Sequence, residues 1–354
     1  MRKMVKISLV IVAGLLLTTG CAQKVRIKAL NPAEVGAMAS KKKVAVTNFK
    51  NDKVGLSGKI EAEISRQKLD KKRYFTVLSR KDLAKVMAEQ KLQSSEMIDT
   101  STATKIGKGI GAQAIITGEV ASASGKSSSY MEDKEKCLQY YKDSGECAQW
   151  RYYKVKCDTT QASVSANINI IDVESGTIIY GDTFTKNYSG DSCKAGKSSL
   201  GLLLLDSGPQ QILSKTQAIN KLTSDIANEF VYKLTPNYIY FNVALLDSIE
   251  LDNVTDAQKK QFAASLAYIK AARYDKAKKI LKKLMDSLDG KSYVVAYVYG
   301  VVYEATGNFN KAKEIYTIAD DDALEPVPEI NLSMTRINRL IEKRDEARKQ
   351  MNAH

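Results

Sequence analysis

Five cysteines and one histidine are the residues of this 354-residue chain with the widest choice of chemistry. The histidine is His354, at the end of the sequence. A Ser-His-Asp triad, a Cys-His pair or a His-rich zinc site is therefore not expected. Four cysteines, Cys137, Cys147, Cys157 and Cys193, frame one region. They contain no C-x-x-C pair and have no histidine nearby, which disfavours zinc and favours two disulfides in an oxidising compartment, with three pairings open. Residues 190–198 (GDSCKAGKS) have the look of a phosphate loop, but the glycines stand one residue too far apart for G-x-x-x-x-G-K-S. No nucleophile, base and metal ligands gather elsewhere, so the expectation is a non-enzyme without cofactor or metal.

Cys21 has a different setting. Arg2, Lys3 and Lys6 precede an apolar run at 7–17 that is too short to span a bilayer as a helix. Thr18-Thr19-Gly20-Cys21 follows and resembles the lipobox of bacterial lipoproteins, in which the cysteine thiol takes a diacylglycerol before cleavage. Thr18 stands where Leu is usual, with Leu17 one step earlier. Residues 1–20 are thus read as a lipoprotein signal and Cys21 as the lipid-attachment site. Ala22 in place of an aspartate directs the chain to the outer membrane, on its periplasmic face. Removing residues 1–20 takes away three positive charges and lowers the net charge from +14 to +11. Export also removes nucleic acid as the natural partner of that charge.

At 44% hydrophobic and 27% charged, the chain has the balance of a folded protein, with two domains as the expectation for its length. Residues 21–42 are polar and read as a tether. From 43 to 235 strands and helices alternate. A β-prone run at 44–49 is followed by Leu56, Ile60 and Ile64 at helical spacing, a strand at 74–78, a helix after Ser79 and another near Thr100-Ser101. A strand follows at 114–121, and Val164, Ala166, Ile168 and Ile170 then alternate with polar residues as in a strand with one buried face. A turn at 172–177 leads into a strand at 178–188, and a helix at about 210–234 closes the unit ahead of Pro236. The sum is α+β, a mixed sheet with packed helices.

The blocks VAVTNF, YFTVLSRKDLAKVMAEQ, STATKIGKGIGAQAIITGEV and INIIDVESGTIIYGDT occur in that order. Together they resemble the CsgG-like domain of curli secretion lipoproteins, a family also similar to the periplasmic activators of penicillin-binding proteins. The resemblance implies a lipid-anchored periplasmic domain, often a ring-forming homo-oligomer, with no catalytic residues. In the secretion member two inserted β-hairpins per subunit join into a transmembrane barrel, and the corresponding segments here are about 122–160 and 187–209. The first carries charges throughout, from Glu132 to Asp158, in place of alternating apolar residues. It reads as a Cys-rich, water-exposed loop domain whose Tyr140, Tyr141, Trp150, Tyr152 and Tyr153 form a mini-core around two disulfides. An aromatic girdle or a partner surface is the alternative. The second holds four consecutive leucines, 202–205, read as core.

Residues 236–354 read as an all-α helical-repeat domain. Two segments align at an offset of 35, with Tyr268, Tyr274 and Ala277 falling on Tyr303, Phe309 and Ala312. The second copy, with Gly300, Gly307 and Tyr316 as well, resembles a tetratricopeptide repeat. Small residues let the paired helices approach and aromatics fill between them. A charged helix at 329–351 is suited to capping the stack, and the lysines at 276–283 read as a solvated face.

These features lead to the expectation of a lipid-anchored, oligomeric scaffold in a cell-envelope machine of secretion or flagellar type. It would bind outer-membrane lipid through Cys21 and a protein partner through its repeats. An oligomeric export channel and an activator of a penicillin-binding protein are the alternatives. Cys21→Ser should abolish metabolic labelling of the protein with radioactive palmitate in the producing cell, and label persisting in that variant would contradict the lipid site.

Overall fold

The computed structural model describes residues 23–89, 100–194 and 211–353. Cys21, His354 and the leucines at 202–205 lie outside them. Two compact units form among the described residues, one of Ala33–Thr235 and one combining residues 23–32 with Pro236–Asn352.

The first unit is built on a five-stranded sheet. Its strands are β2 (Lys43–Val46), β5 (Thr76–Val77), β6 (Ala114–Tyr140), β7 (Cys147–Asp172) and β8 (Ile178–Asp191). They lie in the order β5-β2-β6-β7-β8, with the first three parallel and β6, β7 and β8 antiparallel. Successive side chains in a strand point to opposite faces, so this sheet builds two cores. Val44, Val46, Ala114, Ile116, Val164, Ala166 and Ile168 pack on one side against α1 (Leu56–Arg66) and α4 (Lys215–Leu234). Ala45, Ile115 and Ile171 pack on the other against Leu83 of α2 (Arg80–Glu89) and against Ala103 and Ile106 of α3 (Thr100–Ile110). Helix α4 starts where a reciprocal cap forms: the Ser214 hydroxyl accepts from Gln217 N at 3.3 Å and Gln217 Oε1 accepts from Ser214 N at 2.9 Å. A small ribbon of β3 (Lys68–Leu69) and β4 (Lys72–Arg73) completes the unit's strands among the described residues.

Three expectations from sequence are corrected. The 122–160 segment is not a loop domain around a small core but the continuation of β6 and β7, whose ladder runs unbroken in direction from Ala114↔Asp172 to Tyr140↔Cys147. Polar composition on both faces concealed the strands, because cross-strand pairing there proceeds without a buried side. Residues 21–42 are not wholly a tether either. Lys24–Asn31 forms β1, paired antiparallel with β9 (Asn237–Ala244). Val25, Ile27 and Ala29 are buried while Lys24, Arg26 and Lys28 are exposed, a period of two that the run of basic residues had masked.

The second unit is consequently not all-α. Its core combines Val25, Ile27, Ala29 and Val243 of the two strands with five helices. These are α5 (Asp256–Lys270), α6 (Tyr274–Ser287), α7 (Tyr293–Ala305), α8 (Phe309–Asp322) and α9 (Pro328–Asn352), each packed on the next in sequence, with β1 lying against α7 and α9. Ala272 and Gly307 hold the corresponding left-handed position between the helices of each pair, at φ 55° and 77°. Gly307 meets this without cost, whereas Ala272 adopts a conformation that side chains disfavour. At Gly300 a methyl group would stand 2.6 Å from the Tyr316 ring, so the α7–α8 approach requires glycine.

One polar group sits at the centre of this unit. Glu304 is fully buried and accepts from Tyr316 Oη at 2.6 Å and from Arg336 Nε and Nη2 at 2.8 and 2.9 Å. Burial first, and the Glu304 charge second, push the Tyr316 phenol well above its usual value, which keeps it a donor. The network ties α7, α8 and α9 together. Arg336→Met should destabilise the second unit by about 3–5 kcal/mol by leaving the carboxylate unpaired. Combining it with Glu304→Gln should recover much of that loss. Urea unfolding followed by hydrogen exchange over α7–α9 reads both, and a harmless Arg336→Met would contradict the role given to the network.

Candidate functional site

Side chains that stand exposed without an evident structural task gather on the outer half of the β6–β7 hairpin. Strand β8 accompanies β7 only from Ile171 to Thr159, and the β2 ladder leaves β6 at Ile116. From Tyr130↔Cys157 outward the ladder is two-stranded, and eleven residues of strand at this rise give an arm of roughly 35 Å.

The root of the arm is fixed by short side chains. Ser127 and Ser128 hydroxyls meet Thr160 and Thr159 across the ladder at 3.2 and 2.8 Å, and Ser129 Oγ donates to Asp158 at 2.6 Å. Where β8 ends, Tyr130 Oη donates to the Asp191 carboxylate at 3.0 Å, and Ser192 and Asp158 exchange hydrogen bonds at 2.9 Å. Cys157 and Cys193 form a disulfide at this point, binding the end of β8 to the first two-stranded pair of the arm. Glu132 lies beside these two sulfurs, but sulfurs bonded to each other offer no thiolates for a metal.

Charges occupy both faces beyond the root. Glu132, Lys134, Lys136 and Arg151 alternate with Asp133, Glu135, Lys154 and Lys156, and Asp133 pairs with Lys154 at 3.0 Å directly across the ladder. The tip is closed by the second disulfide, Cys137–Cys147, and by a turn in which Tyr141 N donates to Glu146 O at 2.8 Å. Around it stand Leu138, Tyr140, Tyr141, Trp150 and Tyr152, exposed by 47% to 74% of their surface. The expected mini-core is therefore absent among these side chains: the aromatics face water, because a two-stranded ribbon has no second layer to cover them.

The residues aligned at the offset of 35, and Tyr316, fall in the second unit. Ala277, Phe309, Ala312 and Tyr316 are buried, and Tyr268, Tyr274 and Tyr303 pack against the same core while partly exposed. The sequence reading missed Glu304 and Arg336. A lone Glu in an apolar helix, with an Arg on the next charged helix but one, was the available signal. A shallow concavity of about 590 Å³ across β6, β7 and β8 is lined by Ser124, Lys126, Gln161, Asn187 and Tyr188 among others, with no carboxylate in its wall.

A mixed sheet covered by helices on both faces, extended by a hairpin arm from its central strands, defines an α+β domain of the CsgG type. The chain matches the family described as "Curli production assembly/transport component CsgG" over residues 27–261, more than half of its length, and belongs to that family. No curated protein sequence matches it significantly. Among solved structures it is similar to E. coli LpoB, at 11% identity over 46% of this chain and 71% of that one, with a TM-score of 0.25. It is similar also to a PelC dodecamer from Paraburkholderia phytofirmans, at 11% identity over 60% and 97% of the two chains, with a TM-score of 0.24. The LpoB C-terminal domain from Salmonella enterica matches at 12% identity over 44% and 95%, with a TM-score of 0.22.

Cys157→Ser with Cys193→Ser should fray the arm from its root. A bridge over 36 residues contributes about 3–4 kcal/mol in the chain-entropy account. Hydrogen exchange should accelerate at 130–136 and 151–157 while 164–170 stays protected. Unchanged protection along the arm would show that the disulfide does not hold it.

Proposed function

We propose that this chain is a non-enzymatic, lipid-anchored component of a cell-envelope assembly on the periplasmic face of the outer membrane, and that it works through protein contacts. The observation that carries the reading is the arm: a stapled ribbon with polar flanks and an aromatic tip, projecting from a domain of a family described by assembly and transport. Exposed Trp and Tyr on a rigid hairpin are the residues most often found at the energetic centre of protein interfaces.

The helical hairpins α5–α6 and α7–α8 are of tetratricopeptide type in this reading. Support comes from the offset of 35 that places Tyr268, Tyr274 and Ala277 on Tyr303, Phe309 and Ala312, and from the matched left-handed positions Ala272 and Gly307. Such pairs serve as binding surfaces, and the arm and repeats together would let one subunit hold a partner and a copy of itself.

A second reading, an export channel, is favoured by the length of the hairpin. Membrane-spanning hairpins present an apolar outer face, however, and both faces of this arm carry charges. The scaffold reading accounts for those charges without placing any of them in lipid.

Chemical crosslinking in intact envelopes followed by affinity purification tests the proposal. The wild-type chain should recover a stoichiometric partner, itself or another protein. Tyr140→Ser, Trp150→Ser and Tyr152→Ser together should weaken recovery by at least the roughly thirtyfold expected from losing about 2 kcal/mol at one anchor, with thermal stability unchanged. A strictly monomeric, partner-free protein in crosslinked envelopes would contradict the proposal.

A further inference from the structure

The outer face of the two-stranded sheet in the second unit is basic and aromatic. Lys24, Arg26 and Lys28 project from β1 on the side opposite the buried Val25, Ile27 and Ala29. On β9 the same face carries Tyr238 and Tyr240. The Arg26 guanidinium lies 4.5 Å from the Tyr240 ring centre and the Lys28 ammonium 3.6 Å from that of Tyr238. Tyr240 is 53% exposed. Neither strand contains an aspartate or glutamate, so no carboxylate from the two strands neutralises the stripe. The lysine-rich helix α6 differs, since Asp275 and Asp286 lie within it.

Position in the chain identifies what meets this face. Lys24 is three residues from Cys21, and three residues of chain span at most about 11 Å. A diacylglycerol on Cys21 would hold Lys24, the start of β1, within that distance of the bilayer surface, and the rest of the strand runs on from there. We propose that this face, Lys24, Arg26 and Lys28 with Tyr238 and Tyr240, lies on anionic phospholipid headgroups and fixes the orientation of the second unit on the membrane. The proposal rests on the lipid-anchor reading for its geometry. Cations match the headgroup phosphates, and tyrosines place apolar rings at the interface with their hydroxyls in water. A diacylglycerol already brings two acyl chains, so the basic patch would set the orientation of the unit and not its hold on the membrane. The cation–π contacts hold two of the basic groups on that face in advance, which lowers the ordering cost of contact.

The test uses the mature chain with Cys21→Ser, so that binding is measured without the anchor and failure of lipidation is read separately by palmitate labelling. The protein is sedimented with vesicles of phosphatidylcholine alone or of phosphatidylcholine with phosphatidylglycerol. Binding should require phosphatidylglycerol and fall about a hundredfold in Lys24→Gln/Arg26→Gln/Lys28→Gln, given the attraction of each basic group near an anionic surface. Lys279→Gln/Lys282→Gln/Lys283→Gln on α6, with the same change in net charge, should bind nearly as wild type. Hydrogen exchange of the unsubstituted protein gives a reading independent of any variant, with added protection expected at 24–30 and 237–244 on vesicle addition. Equal loss in both triple variants, no protection of the two strands, or binding to isolated cell-wall sacculi in place of vesicles would overturn the proposal.

Discussion

The antiparallel ladder between β6 and β7 is the constraint on which the first unit depends. Its inner half builds the sheet, because β6 is where the parallel strands and the antiparallel strands meet. Its outer half is the arm. A one-residue slip would exchange the faces of both halves at once, so the buried alternation at 162–170 fixes the register of a ribbon that has no buried face of its own. The register shift between Val120 and Ser122 falls where burial ends, as expected for a bulge that adds twist where a strand leaves its sheet. The two disulfides then act where the core cannot, at the root and the tip of the ribbon.

The second unit uses a different long-range closure. Strand β1 pairs over its whole length with a strand more than two hundred residues later and completes a core that the five helices share. Two helical hairpins alone bury little, and the two-stranded sheet together with the buried Glu304–Arg336–Tyr316 network extends the core they share. A buried ion pair contributes less to net stability than it does to fixing one arrangement of α7, α8 and α9.

Much of this architecture was legible wherever one face of an element is buried. The alternation at 163–170 and the helical stripe of Leu56, Ile60 and Ile64 mark residues that lie in cores, and the offset of 35 marks buried Ala277, Phe309 and Ala312 beside partly exposed Tyr268, Tyr274 and Tyr303. The arm, which lacks that asymmetry, escaped, and so did β1, which has it. The arm has charges on both faces and so gives no period, while β1 was hidden by its three basic residues although Val25, Ile27 and Ala29 alternate with them. The four cysteines were expected to be paired, but their connectivity depended on the ladder register, which brings position 157 beside the end of β8 and position 137 beside the tip. Glu304 stood out as the one charge in an apolar helix, but its partners come from two other helices, so the sequence did not show what it pairs with.

The proposed scaffold places a charged, stapled ribbon in water and leaves its aromatic tip for a partner, whereas the channel alternative would bury the same ribbon in lipid. Conductance of the detergent-extracted, lipid-anchored protein in planar bilayers separates them most directly. The scaffold account predicts no discrete conductance steps at any protein concentration that gives oligomers. Reproducible unitary steps that disappear when residues 130–157 are replaced by a short turn would contradict it.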